Sequence, residues 1–124
     1  MALTNAGRNE IAAALIGEGT PFNNSNARIG VGDGDTTFIA TQTDLTGANK
    51  FRKGMDTGYP IRDSNTITYR ATFGSDEANF TWKEWGVFNA ATGGVMLNRL
   101  VDNNGTKLSG QTWAFTVTIT INAT

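Results

Sequence analysis

The chain has 124 residues, 39% of them hydrophobic and 17% charged, with a net charge of −1, no Cys and no His. This length suits a single domain spanning residues 1–124 with a modest core, and the charge offers no broad basic surface for nucleic acid. Without Cys or His there is no disulfide or thiolate site, no Ser-His-Asp triad and no His-based zinc site, and no apolar run approaches the roughly 20 residues of a membrane span.

The opening stretch, "LTNAGRNEIAAALIGEG", predicts a helix at about residues 4–17. Thr4 or Asn5 can cap it by accepting a backbone N–H, and Gly17 or Gly19 can end it. Ile11, Leu15 and Ile16 form a narrow apolar stripe, so a helix this short must dock on another element to be stable. The apolar core of this stretch lacks the basic leader of a signal peptide, with only Arg8 before it, and reads as part of the mature fold.

A loop at Thr20–Asn26 leads to "ARIGVG", a strand with Ile29 and Val31 on one side. The connection from Asp33 to Ala48 is long and polar, with Phe38 and Leu45 available to tack it down. "NKFRKGMDTGY" reads as an edge strand, its Lys and Arg discouraging unwanted pairing. "NTITYRATF" alternates Ile67, Tyr69, Ala71 and Phe73 against polar residues with a period of two. "FTWKEWGVFN" and "GVMLNRLV" form a hairpin around "ATGG", whose glycines supply positive-φ positions. "TWAFTVTITI" sets Trp113, Phe115, Val117, Ile119 and Ile121 against Ala114, Thr116, Thr118 and Thr120, the clearest half-buried strand in the chain. The sum is an all-β fold: an antiparallel β-sandwich, jelly-roll-like, with one N-terminal α-helix.

Residues with potential chemistry are few. "GVGDGD", Gly30–Asp35, resembles a phosphate loop but fits neither glycine-rich fingerprint and reads as a turn after a strand. Asp33, Asp35 and Asp44 lack calcium-loop spacing, so no metal and no cofactor is expected. Glu77, Glu84, Asp56 and Asp76 lie near Trp82 and Trp85, but a glycosidase pair needs a set separation and one raised pKa, in a larger cleft than so small a chain builds. The plainer reading pairs Glu84 with Arg99 across the hairpin, worth up to about 1 kcal/mol. The chain reads as a non-enzyme.

The hairpin poses the main physical question. Val87 and Leu97 share one face and Phe88 and Met96 the other, so both faces need cover. A second sheet can take one. The helix can shield only part of the other, and a neighbouring subunit is the expected complement, because large apolar side chains left wet forfeit about 1.5–3 kcal/mol each. On this reasoning Trp85, Phe88, Met96 and Arg99 are candidate contact residues, with the loop that carries Phe38 and Leu45, or the N-terminal helix, as the docking element.

Taken together, "LTNAGRNEI", "IGVGDGDT", "KFRKGMD" and "EWGVFNAATGGVMLNR" resemble small phage and prophage virion proteins of the tail-collar/tail-fibre-associated family. The resemblance runs from Leu3 to Ile121 and centres on an E-x-G-[VLI]-F-[ND]-x-x-x-G hairpin followed by an aliphatic strand and an Arg. It implies a structural protein of the virion, assembled in the host bacterial cytoplasm, with no cofactor and no catalysis. It also implies a homo-oligomer, a trimer or ring, joined to other virion proteins and to neither nucleic acid nor membrane. The chain is short for the family, which disfavours a receptor tip and favours a tail, collar, baseplate or fibre-adaptor role. A capsid decoration protein is the alternative, and a carbohydrate-binding module using Phe80, Trp82 and Trp85 is a further one.

Overall fold

A computed structural model describes residues 2–123. Two antiparallel sheets stack face to face. The larger has five strands: β1 (Ala2–Leu3), β2 (Arg28–Gly32), β3 (Lys50–Gly54), β6 (Glu84–Phe88) and β7 (Asn98–Val101), in the spatial order β1-β7-β6-β2-β3. The smaller holds β4 (Ile61–Asp63), β5 (Thr66–Phe73) and β8 (Trp113–Thr120) in the order β4-β5-β8. The period-two strands seen in the sequence are thus present, and the short β1 and β4 are additions to that reading.

The core lies between the sheets. Ile29, Val31, Trp85, Val87 and Leu97 of the larger sheet meet Tyr69, Ala71, Phe73, Val117 and Ile119 of the smaller one. Trp82 is its aromatic hub, with ring centroids 4.7 Å from Phe73, 5.0 Å from Trp113 and 5.3 Å from Phe115, all edge-to-face. That arrangement suits the ring quadrupoles.

Helix α1 (Asn5–Leu15) is capped by Thr4, whose hydroxyl accepts the Gly7 N–H at 2.8 Å and donates to the Met96 carbonyl at 2.5 Å. The expected docking stripe needs correction. Ile11 is half-buried against the core, but Leu15 and Ile16 are 83% and 73% exposed. The helix docks instead through Gly7, which lies so close to the Leu97 backbone that a Cβ would strike its carbonyl oxygen. It closes one end of the sandwich and leaves the Phe88/Met96 face to another element.

The β6–β7 hairpin turns through Gly93 and Gly94, with φ of 62° and 65°. Its pairing slips by one residue between the Phe88↔Met96 bridge and the Trp85↔Leu100 pair. That slip marks a β-bulge at Leu97–Asn98. The bulge leaves the Val87 N–H without a backbone partner, and Asn98 Oδ1 accepts it at 3.1 Å.

Candidate functional site

The outer face of the larger sheet carries the densest polar construction in the molecule. Glu84 and Arg99 lie on it side by side, Nε to Oε1 at 2.7 Å, both side chains fully buried. Glu84 Oε1 also accepts from the Thr46 N–H at 3.0 Å, and Oε2 accepts from Gly34 at 2.9 Å and Gly47 at 2.8 Å. Arg99 donates to the Thr36 carbonyl at 2.9 Å, Gln42 Oε1 at 3.2 Å and Thr46 Oγ1 at 3.1 Å. A buried carboxylate needs this many donors to offset its lost hydration. The pair stitches the connection at residues 33–49 down onto the sheet.

Space for the carboxylate comes from glycine. A Cβ on Gly32 would strike Glu84 Oε2, and one on Gly30 would stand 2.5 Å from the Phe88 ring. "GVGDGD" is therefore the turn that the sequence suggests, with an added duty. Its amide at Gly34, together with Thr46 and Gly47, cradles an anion as a phosphate loop does. The anion is the chain's own Glu84.

Beside this cradle, Phe88, Met96 and Leu45 form a second small apolar cluster. The Arg52 guanidinium covers the Phe88 ring at 3.6 Å from its centroid and donates to the Ala90 and Gly93 carbonyls at 3.0 and 2.9 Å. Asp44 stands 3.5 Å from Arg52 and 2.8 Å from Lys50. Burial of Asp44 works against its ionised form, but the hydrogen bonds from Lys50 and the Leu45 N–H, with the nearby cations, hold its carboxyl below the usual range.

The second face of the hairpin is thus covered from within. The expectation that α1 and a neighbouring subunit share this task does not hold, because the 33–49 connection and β3 perform it. Trp85, Phe88, Met96, Arg99 and Leu45 all lie inside the folded chain, and Phe38 is half-buried. The five buried side chains have no free surface to offer a partner, whereas Phe38 keeps part of its own.

Glu77, Asp56 and Asp33 are tied into the fold as well, whereas Asp76 is exposed. Glu77 accepts from Lys53 Nζ at 2.8 Å and from the Gly74 N–H at 2.7 Å. Those hydrogen bonds lower its pKa, the reverse of what a general acid needs. Asp56 accepts from Thr72 and lies 3.2 Å from Arg70. The Asn49 side chain and amide lower the pKa of Asp33. No group of three or more Asp or Glu gathers as a metal site among the described residues. Trp82 and Trp85 are core residues, 1% and 7% exposed, so the proposed sugar platform with Phe80 is not presented to solvent.

In the sequence Glu84–Arg99 reads as an ordinary cross-strand pair, and nothing singles out Lys107. That lysine is 1% exposed and donates to the Gly74 carbonyl and Asn79 Oδ1, each at 2.7 Å. It sits in a polar turn, where nothing local distinguishes a buried lysine from a solvated one.

Residues 1–120 match the family model described as phage tail-collar fibre protein, N-terminal. The chain belongs to this family. No curated protein and no solved structure matches it. As a member of the tail-collar fibre family, it is a structural component of a phage tail.

The hairpin residues that carry the family resemblance have structural duties here. Glu84 and Arg99 fasten the long connection, and Phe88 anchors the apolar cluster beneath it. A Cβ on Gly86 would strike the Asn98 carbonyl. Asn89 closes the hairpin by accepting from the Val95 N–H at 2.8 Å and ties it to the Thr20 carbonyl at 3.0 Å. In this tail-collar fibre domain the most recognisable motif is a folding device.

Proposed function

We propose that this tail component acts as an oligomeric fibre adaptor or collar protein, working by burial of apolar surface between subunits and without catalysis. The observation that carries the reading is where the exposed apolar groups lie. An apolar groove of about 230 Å³ runs between α1 and the smaller sheet, lined by Leu3, Ile11, Phe22, Ile67, Ile119 and Ile121. Beyond it the helix ends in the exposed Leu15 and Ile16, while Ile121 on the groove wall is 49% exposed. Exposed apolar surface of this kind favours association.

Light scattering of the purified chain tests the reading. A mass that is a multiple of 13.2 kDa and persists on dilution is expected. Leu15→Ser with Ile16→Ser, at positions that contribute little to the core, is expected to weaken the assembly. A monomer at every concentration would overturn the proposal. The family match favours the tail over the capsid-decoration alternative.

A further inference from the structure

The groove between α1 and the smaller sheet has a chemical counterpart on the same chain. Its volume of about 230 Å³ falls below the roughly 300–1,000 Å³ of small-molecule sites. Glu10 and Thr20 on its wall satisfy each other, the Thr20 N–H donating to Glu10 Oε1 at 2.6 Å. What remains suits a few aliphatic groups. Along the smaller sheet, Ile119, Ile67 and Arg62 are directly opposed in β8, β5 and β4. Directly opposed residues share a face, so Arg62 stands at the β4 end of the groove floor. Arg8 flanks the other side, lining a hollow that shares Leu3, Ile11 and Ile121 with the groove. Neither arginine has an ion pair among the described residues. The groove is thus apolar with a cationic rim, and it fits aliphatic side chains followed by a carboxylate.

The end of α1, "LIGEG", carries that combination. Leu15 and Ile16 are the two most exposed large apolar side chains among the described residues. Glu18 beside them is exposed and has no ion pair there either. The tip is held in shape by its own backbone: the Gly17 N–H donates to the Ala14 carbonyl at 3.1 Å and the Glu18 N–H to the Ala13 carbonyl at 2.9 Å. A knob fixed in advance loses little freedom on docking. Leu15 and Ile16 extend the helix that walls the groove, so they cannot enter the groove of their own copy.

We infer that Leu15 and Ile16 of one copy enter the groove of the next, where Glu18 meets the partner subunit's Arg8 and the partner subunit's Arg62. A second copy is selected because the chain itself supplies both halves, an aliphatic knob with a free acid and an aliphatic groove with free cations. Knob and groove are different surfaces, so the contact runs head to tail. Such contacts close into rings, a trimer included, and do not stop at a pair. The inference rests on the assembly reading and names the contact within it.

Complementation between two variants, read by sedimentation over a dilution series, tests it. L15S/I16S removes the knob and keeps the groove. I121E sets a carboxylate at the half-exposed groove wall and keeps the knob. Each alone is expected to raise the midpoint concentration of assembly about a hundredfold. Mixed, they share one intact contact and are expected to form a dimer with one copy of each that grows no further. A charge exchange at the exposed positions 8, 18 and 62 adds an arm that leaves the core untouched, and it decides alone should I121E fail to fold. E18R and R8E/R62E are each expected to weaken assembly about tenfold by opposing like charges. E18R/R8E/R62E is expected to restore it. A wild type that stops at two copies, a mixture that stays monomeric, or a triple variant no tighter than its parents would overturn the inference. Wild-type assembly that survives L15S/I16S unchanged would also overturn it, leaving the assembly reading standing with its contact elsewhere. A wild type that is monomeric at every concentration would sink both.

Discussion

Replacing Glu84 with Gln tests whether the buried carboxylate organises the outer face of the larger sheet. Each carboxylate oxygen receives two N–H donors: Oε1 from Thr46 and Arg99, Oε2 from Gly34 and Gly47. A glutamine amide has one accepting oxygen. In either orientation its NH2 group faces two donors, each then left unpaired at about 1–3 kcal/mol. Arg99 also loses its counter-charge in a fully buried position, and breaking such a pair from one side costs about 3–5 kcal/mol. These penalties overlap, because Arg99 is one of the donors, so the expected loss is about 3–5 kcal/mol. A domain of this size has roughly 5–15 kcal/mol in total. Urea unfolding followed by tryptophan fluorescence measures it, and hydrogen exchange at Gly34, Thr46 and Gly47 shows where the loss falls. A simple ion pair would be rescued by the apolar double variant Glu84→Leu, Arg99→Met. Here the backbone amides would remain orphaned, so the double variant is expected to recover less than half of the loss. A loss under about 1 kcal/mol for Glu84→Gln, or full recovery in the double variant, would refute the reasoning.

Gly7→Ala ordinarily favours a helix by about 1 kcal/mol, but the added methyl meets the Leu97 backbone, so destabilisation of about 1–3 kcal/mol is expected. A rise in thermal midpoint would show that α1 can lift off Leu97 without cost. Arg52→Ala uncovers the Phe88 ring and removes donors to Ala90 and Gly93, with an expected loss of about 1–3 kcal/mol in denaturant unfolding. Arg52→Lys should recover only a minor part, because an ammonium cannot stack flat on the ring; full rescue would argue for charge alone. Burial pushes the Tyr69 hydroxyl up to about 12 from an ordinary 10.0. Between those values the unfolded chain has lost the proton that the native chain retains, so stability falls as pH rises, by on the order of 2–3 kcal/mol in all. Urea midpoints across that range should show the slope, and Tyr69→Phe should remove it; an unchanged slope in Tyr69→Phe would assign the effect to other groups.

The sequence by itself determined the strands, because a period of two is a local property of residues that face alternately in and out. β5 and β8 could be read from Ile67–Phe73 and Trp113–Ile121, and the helix start from Thr4. The split of the hairpin into a Val87/Leu97 face and a Phe88/Met96 face was legible for the same reason. Short β1 and β4 were not, since two or three residues carry no period and exist only through their partners. Tertiary structure alone decided what covers each face. A polar connection such as residues 33–49 shows no periodicity, and nothing local says that its amides will converge on Glu84 or that Arg52 will lie on Phe88. The same holds for Gly7 replacing Leu15 and Ile16 as the helix contact. Apolar spacing proposes a face, but the distance of closest approach between backbones decides which residues of that face are buried.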